Sequence, residues 1–382
     1  MDFTFNEQER QFQEAVRRYA RERLIPEYAS YDRGTPYPKE RVRELGALGV
    51  TGLSIPAAYG GSEGTFTMAG ICSEELGRGD VSVTLFLQIG MIGGTIAAHA
   101  KESVKHEWLP KLASGEKIIA LGLTEPGVGS DAAALVTTAK REGDHYTMNG
   151  EKASISLAGY ADVCIVFART GGEGARGISA FLVPLDLPGI TRRVYRSAGE
   201  KLSQRGALIF DDVRVPADYL LGKEGQGFYG IMNAFDYNRA LIALGCVGAA
   251  QQSLEETIEY TKRRHTFGKP LAKYEAVSFQ IAEHLTMLNA ARLIAYQCLG
   301  KRDRGEPHTR EAAMCKWLGP KAAAEAIHSC IILHGWLGYD QDLPFEQRYR
   351  DVVGLEIGDG TPEIMKGIIA RETFGREFMP YR

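Results

Sequence analysis

The sequence has no apolar run approaching the 18 or so uninterrupted residues of a membrane-spanning helix; the nearest, Ile89 to Ala98, is about half that length. It has no excess of either charge. Its 45 basic and 48 acidic residues leave a formal net charge of −3, which gives no electrostatic case for nucleic acid or an anionic membrane. It has no paired cysteines. Cys72, Cys164, Cys246, Cys298, Cys315 and Cys330 are scattered, with no C-x-x-C. They read as buried thiols in a reducing compartment, with the cytoplasm expected, rather than as zinc ligands or a disulfide frame. The N-terminus, MDFTFNEQERQFQEAVRRYARERL, carries acids early and reads as an amphipathic helix, not a targeting peptide. There is no Ser/His/Asp order, no H-E-x-x-H and no EF-hand spacing. Hydrolytic and metal mechanisms are disfavoured, and no metal ligands are expected.

The 382 residues, 44% apolar and 24% charged, suit a globular enzyme of two or three domains. Residues 1 to about 120 carry helical patterns at 6–24, 38–49, 66–78, 81–99 and 101–113, punctuated by Pro26, Pro36, Pro38, Pro56 and Gly60-Gly61. The texture then changes. HYTMNGEKASIS, ADVCIVFART, GISAFLVPLD, GITRRVYR and ALIFDDVRVP are short, β-rich and separated by turn residues, as in an antiparallel barrel or sandwich. From 225 long helical patterns return at about 225–262, 272–301 and 308–335. Val247, Ala250, Leu254 and Ile258 form one stripe, and Glu259 and Arg263 an i,i+4 pair. The fold class expected is α+β: a helical domain (1–120), an antiparallel β-barrel domain (121–224) and a four-helix-bundle domain (225–382).

Near the C-terminus stands 355-LEIGDGTPEIMKGIIARE-372. Thr361 reads as an N-cap, Pro362 as the first helical residue and Glu363 as an acid in the first turn. Asp359 is thus set between two glycines just ahead of a helix. The stretch 124-TEPGVGSD-131 marks the change to β texture, and Gly127 and Gly129 permit close approach of backbone to a ligand. In 263-RRHTFGKP-270, Arg263, Arg264 and His265 suit a helix C-terminus and Gly268 a C′ position; an arginine there could also meet phosphate. The G-x-G-x-x-G match 172-GEGARG-177 lies between strands with no helix after it, so a hairpin loop is expected rather than a dinucleotide site. His334, in 331-IILHGWLGYD-340, reads as a packed histidine.

Together these stretches resemble the acyl-CoA dehydrogenase family. The resemblance rests on TEPGVGSD, on NGEKASIS (149–156), FDYNR (235–239), RRHTFGKPL (263–271), HGWLGY (334–339) and DGTPEI (359–364), in that order along nearly the whole chain. It implies a homotetrameric flavoprotein holding FAD between subunits. Such an enzyme removes an α-proton and a β-hydride from an acyl-CoA thioester and passes electrons to an electron-transfer flavoprotein. It further implies that Leu121, Leu123, Thr124, Gly129, Ser130, Ser154 and Ser156 line the flavin. Arg264, His265 and Thr266 would reach FAD phosphates and Phe267 its adenine end, from a neighbouring subunit. Thr361 and Glu363 would sit near the adenosine, and Glu275 and Gly335 complete the cofactor set. Ser130, Asp236, Asn238 and Arg239 would line the substrate channel.

Asp359 occupies the place of the family's catalytic glutamate, so it is expected to take the α-proton while hydride leaves for flavin N5. A backbone N–H and a ribityl hydroxyl would polarise the thioester oxygen. An α-C–H is a very weak acid, and burying a carboxylate against substrate raises its basicity. Aspartate is one methylene shorter than glutamate, roughly 1.5 Å of reach. Aspartate stands there in some members that act on alicyclic acyl-CoAs such as cyclohexanecarboxyl-CoA, so an alicyclic, or short or branched, acyl group is expected. Gln88, in 85-LFLQIG-90, is neutral where a 1,4-dehydrogenating relative would need a second carboxylate. Three further positions depart from the family pattern. Ser154 replaces an aromatic beside the flavin, and Glu275 and Ile332 stand where glutamines are usual. Two other readings are a nitroalkane-oxidase-like flavoenzyme that uses Asp359 without CoA, and a nucleic-acid-associated relative, which the net charge counts against.

Overall fold

The computed structural model describes residues 4–379, without the side chains of 229–234. The chain begins with α1 (Glu7–Tyr19). Asn6 accepts the Glu9 N–H and Glu9 accepts the Asn6 N–H, each at 2.9 Å, a reciprocal cap. A π turn, Ala20–Leu24, continues it. The N-terminal domain then adds α2 (Tyr28–Asp32), α3 (Lys39–Ala47), α4 (Phe66–Gly79), α5 (Leu87–His99) and α6 (Glu102–Ala113). A 3-10 segment, Val81–Phe86, leads into α5. Val81–His99 is long and apolar enough to cross a membrane, but two-thirds of it is buried inside the fold, as in a core helix.

The middle domain is one sheet of β1 (Ile119–Gly122), β2 (Thr138–Glu142), β3 (His145–Ile155), β4 (Val163–Arg169), β5 (Ile178–Pro184), β6 (Ile190–Val194), β7 (Gly206–Pro216) and β8 (Leu220–Leu221). The strand order is β6-β7-β3-β2-β4-β5-β8, with β1 also on β4. Pairing is antiparallel except that β4 takes β1 and β2 as parallel neighbours. Strands β4 and β5 carry the sheet's apolar centre: Cys164 to Ala168 and Phe181 to Val183 are buried. The GEGARG segment is the β4–β5 connection, with one 3-10 turn and no long helix.

The C-terminal domain packs α7 (Gly227–Arg263), α8 (Glu275–Asp303), α9 (Thr309–His334), α11 (Phe345–Ile357) and α12 (Pro362–Phe374), with β9 (His265–Thr266), β10 (Lys269–Pro270) and the short α10 (Trp336–Tyr339) at turns. Val247, Ala250 and Leu254 are buried and Ile258 half-buried, so the expected stripe faces the bundle core. Glu259 bonds Lys262 at 2.6 Å, not the Arg263 side chain expected; Arg263 Nε donates to the Glu259 carbonyl instead. Helix α4 lies against α7 at backbone contact. A Cβ on Gly77 would stand 2.2 Å from the Gly245 carbonyl oxygen, and one on Gly248 2.0 Å from that of Glu74, so only glycine permits this approach.

One buried junction ties the three domains. Tyr28 Oη donates to Asp351 Oδ2 at 2.8 Å, and the Glu200 N–H donates to Asp351 Oδ1 at 2.5 Å. Burial pushes the Asp351 carboxyl up to about 7. Burial, reinforced by the Asp351 charge, pushes Asp80 up to about 8.

Candidate active site

Helix α11 ends at Ile357, and the chain turns through Gly358, Asp359 and Gly360 before α12. Asp359 is left-handed, φ +58°, a conformation that aspartate tolerates better than most residues. Gly360 follows at φ +114°, where a Cβ would come within 2.4 Å of Met365 Cε. Thr361 is the N-cap of α12 and Pro362 its first residue, as expected.

This loop docks on the FDYNR segment of α7. Asn238 Nδ2 donates to Asp359 Oδ2, and Arg239 Nε donates to the Asp359 carbonyl at 3.2 Å. Arg239 Nη1 also bonds Asp236 Oδ1 at 2.8 Å, and Asp236 Oδ2 accepts the Thr309 hydroxyl at 2.6 Å. From α9, Lys316 Nζ donates to the Gly360 and Glu356 carbonyls at 3.1 and 3.3 Å. Lys316 is buried. Burial pulls its pKa down while the Asp359 charge draws it up. Glu200 is also buried, which pushes its carboxyl up; Arg205 opposes this and Asp359 adds to it. The structure therefore brings Asp236, Asn238, Arg239 and Asp359 into one bonded cluster, although the last is about 120 residues away in sequence.

A cavity of about 620 Å³ opens on the middle domain. It is lined by Thr124 to Gly129, by Glu151, Ala153 and Ser154 of β3, and by Arg193 and Tyr195. Ser154 is left-handed, φ +55°, and exposed. Leu121, Leu123, Ser130 and Ser156 flank this wall without lining it. Leu123 is buried on its inner side. Under the wall, Lys152 Nζ donates to Glu125 Oε1 at 2.7 Å and to the Leu123 carbonyl at 3.2 Å. Glu125 also accepts the N–H groups of Val136 and Thr137 at 2.7 and 2.9 Å. Burial pushes Lys152 down to about 8, against the pull of Glu125. Burial pushes Glu125 up, but the Lys152, Thr137 and Val136 bonds together hold it below the ordinary range. Glu125 lies in the segment expected at the flavin, whereas Lys152 and Lys316 as site supports, and Arg193 and Tyr195 as cavity walls, were not expected from the sequence. A lysine or arginine in a polar strand looks like solvated surface, and only the alternation in ITRRVYR hints that one face of that stretch meets something.

The remaining expected cofactor residues lie elsewhere. Arg264 caps α7 in an extended conformation, and β9 and β10 form a tight hairpin. Phe267 and Gly268 are its two turn residues, at φ +46° and +81°, so Gly268 closes a hairpin rather than the helix. Phe267 is 95% exposed. Thr266 is half-buried, and Glu275 is exposed at the start of α8. Gly335 ends α9 at φ +65°, and Glu363 is exposed in the first turn of α12. None of these lines the 620 Å³ cavity. His334 packs as expected. It is buried, its ring stacks on Tyr260 at 4.1 Å, and its Nδ1 lies 2.9 Å from the Cys330 carbonyl.

Profiles of the N-terminal, middle and C-terminal domains of acyl-CoA dehydrogenase match residues 6–116, 120–213 and 225–374. The chain belongs to the acyl-CoA dehydrogenase family. It is 36% identical to the human mitochondrial short-chain specific acyl-CoA dehydrogenase over 364 residues, covering 94% of this chain and 88% of that protein. It is 34% identical to the glutaryl-CoA dehydrogenase of Desulfococcus multivorans, covering 98% of each. Its structure is similar to the butyryl-CoA dehydrogenase of Megasphaera elsdenii, with a TM-score of 0.93, 33% identity, and 97% and 99% of the two chains covered. It is also similar to an FAD complex of PigA, with a TM-score of 0.93, 27% identity, and 97% and 99% covered. This acyl-CoA dehydrogenase is an FAD-dependent oxidoreductase acting on a CH–CH group. The cavity suits that cofactor. Gly127 and Gly129 meet nothing within 4 Å where a Cβ would stand, so the Thr124–Gly129 backbone is open to a flat ring system.

Proposed function

We propose that Asp359 is the base that removes the α-proton of an acyl-CoA, and that the acyl group is alicyclic, or short or branched. The docking of Gly358–Gly360 on α7 carries this reading: side-chain and main-chain oxygens of Asp359 are bonded by the neighbouring residues Asn238 and Arg239. FAD, when bound, would supply the hydride acceptor; Asp359 takes the α-proton, the electron pair of the α-C–H bond forms the π bond, and the β-hydrogen leaves with its own pair as hydride. A backbone N–H beside Asp359 polarises the thioester oxygen. Ser130, Asp236, Asn238 and Arg239 line the thioester channel.

Leu121, Leu123, Thr124, Gly129, Ser154 and Ser156 hold the flavin end of the cofactor. Arg264, His265 and Thr266 reach its phosphates and Phe267 its adenine end from a neighbouring subunit, Thr361 and Glu363 sit near its adenosine, and Glu275 and Gly335 complete the cofactor set. Exposed apolar surface supports that division. Among the described residues, Phe267, Phe279, Met287, Ile332, Trp336, Leu337, Tyr339, Ile357, Ile364, Phe374 and Phe378 are all exposed on the C-terminal domain. We read them as tetramer contacts. An electron-transfer flavoprotein is the proposed acceptor. All six cysteines are free and buried, which supports the cytoplasm.

Near-attack geometry is sensitive to displacements of about 1 Å, so the shorter acid favours a substrate whose α-carbon sits close to the loop. The test is anaerobic. Cyclohexanecarboxyl-CoA, butyryl-CoA and glutaryl-CoA are added in turn to the FAD-loaded protein and the flavin absorbance followed. Bleaching by the cyclic thioester alone supports the alicyclic reading. Bleaching by a straight-chain thioester alone discards the ring. Bleaching by a nitroalkane and by no thioester discards the CoA substrate.

A further inference from the structure

An acid between two glycines gains no side-chain support from its own loop, yet proton abstraction needs it in one orientation. We propose that Asn238 is the positioning residue for the base: its amide fixes Asp359 by one carboxylate oxygen and leaves the other for the α-proton. This rests on the reading that Asp359 is the base.

Asn238 is 5% exposed in the interior of α7, a helix of 37 residues. Asparagine is a poor choice for a helix interior, and a buried amide destabilises the fold unless it is bonded. Its Nδ2 donates to Asp359 Oδ2. The next residue, Arg239, holds the Asp359 carbonyl, and is itself held by Asp236 and, through Asp236, by Thr309. Lys316 holds the following carbonyl, that of Gly360, from α9. The loop is thus clamped by its main chain from two helices, while Asn238 bonds the carboxylate itself.

The chemistry suits an amide. It donates a hydrogen bond without carrying a charge or a proton that it could exchange with the base. A donor to a carboxylate favours the ionised form, the one able to accept a proton. The charged groups that face Asp359 are Arg239 from α7, Lys316 from α9 and Glu200 from the middle domain. Of the contacts described, only Asn238 touches the carboxylate without altering that balance of charge.

The test compares FAD-loaded Asn238→Leu, Asn238→Asp and Asp359→Asn with the unaltered protein. The reductive half-reaction is followed anaerobically at saturating acyl-CoA, across pH, with α-protio and α-deuterio substrate. Asn238→Leu is expected to slow flavin reduction about 10- to 100-fold, the cost of a base free to swing about 1 Å out of line. Acyl-CoA affinity should fall by less than the rate does, since the amide's hydrogen bond goes to Asp359 rather than to the substrate. The α-deuterium isotope effect should rise, and the pH midpoint of the rate should move up. Asn238→Asp should move that midpoint further up, because two adjacent carboxylates resist joint ionisation. If Asp359→Asn abolishes reduction while both Asn238 variants keep the normal rate and pH profile, the positioning role is overturned and the base stands. If Asp359→Asn itself reduces normally, the base reading falls and the positioning role with it. Should Asn238→Leu lose FAD or fold poorly, the isosteric Asn238→Asp decides by its pH profile alone.

Discussion

Replacing Lys152 with methionine removes the ammonium from an enclosed ion pair and leaves the stem in place. The Lys152 and Glu125 side chains are 0% and 2% exposed, with Nζ 2.7 Å from Oε1. Removing one partner of a buried pair costs about 3–5 kcal/mol, because the other charge stays buried. Glu125 keeps the Val136 and Thr137 N–H groups, which places the expected loss at the lower end, about 3 kcal/mol. That is a large share of a total stability of about 5–15 kcal/mol. The loss falls on the segment that walls the cavity, because Lys152 also holds the Leu123 carbonyl. Urea unfolding followed by circular dichroism should therefore show a lower midpoint, and FAD should elute from the protein on gel filtration. Adding Glu125→Gln removes the orphaned charge and should restore most of the lost stability. An unchanged urea midpoint in Lys152→Met would refute the reasoning, as would a double variant no more stable than the single one.

Three other perturbations report on separate parts of the molecule. Arg264→Ala should weaken FAD retention by about 10- to 100-fold, as for a lost hydrogen bond to a charged phosphate; equally tight FAD in equilibrium dialysis would remove Arg264 from the phosphate role. Trp336, 79% exposed, should lie in a subunit contact, so Trp336→Ser should lower the sedimenting mass of the assembly, and an unaltered mass would place that contact elsewhere. Asp80 and Asp351 bind protons more tightly in the folded state, with burial pushing them up to about 8 and about 7 from an ordinary value of 3.8. Their contribution to stability is full below the unfolded value and is lost as pH rises through 7 to 8. The thermal midpoint should fall between pH 5 and pH 8.5. Asp80→Asn should flatten that fall while keeping the bond to the Ser82 N–H; an equally steep fall would assign it to other groups.

Much of the architecture is legible in the residues. The α7 stripe of Val247, Ala250 and Leu254 is buried, and the cap formed by Thr361 and Pro362 starts α12 where composition placed it. The five β-rich segments each contain a strand. The helix Phe345–Ile357 escaped notice because EQRYRD reads as solvated polar sequence. In fact Gln347, Arg348 and Asp351 are buried, each with partners from distant elements. Strands β1 and β2 escaped for a different reason: IALG is short, and TAKRE has one buried position. Gly268 was misplaced because a glycine after a run of basic residues fits a helix end as well as a hairpin. The site divides in the same way. Asp359 stood out through its glycines, but its hydrogen bond from Asn238, and the pairing of Lys152 with Glu125, are contacts between distant segments that no local pattern encodes.

The proposed role of Asp359 is to take the α-proton. The most direct measurement is anaerobic flavin reduction by an acyl-CoA that bleaches the unaltered protein, repeated with FAD-loaded Asp359→Ala. FAD and acyl-CoA are expected to remain bound while the flavin stays oxidised. Bleaching at the normal rate would contradict that role and send the search for the base to another residue.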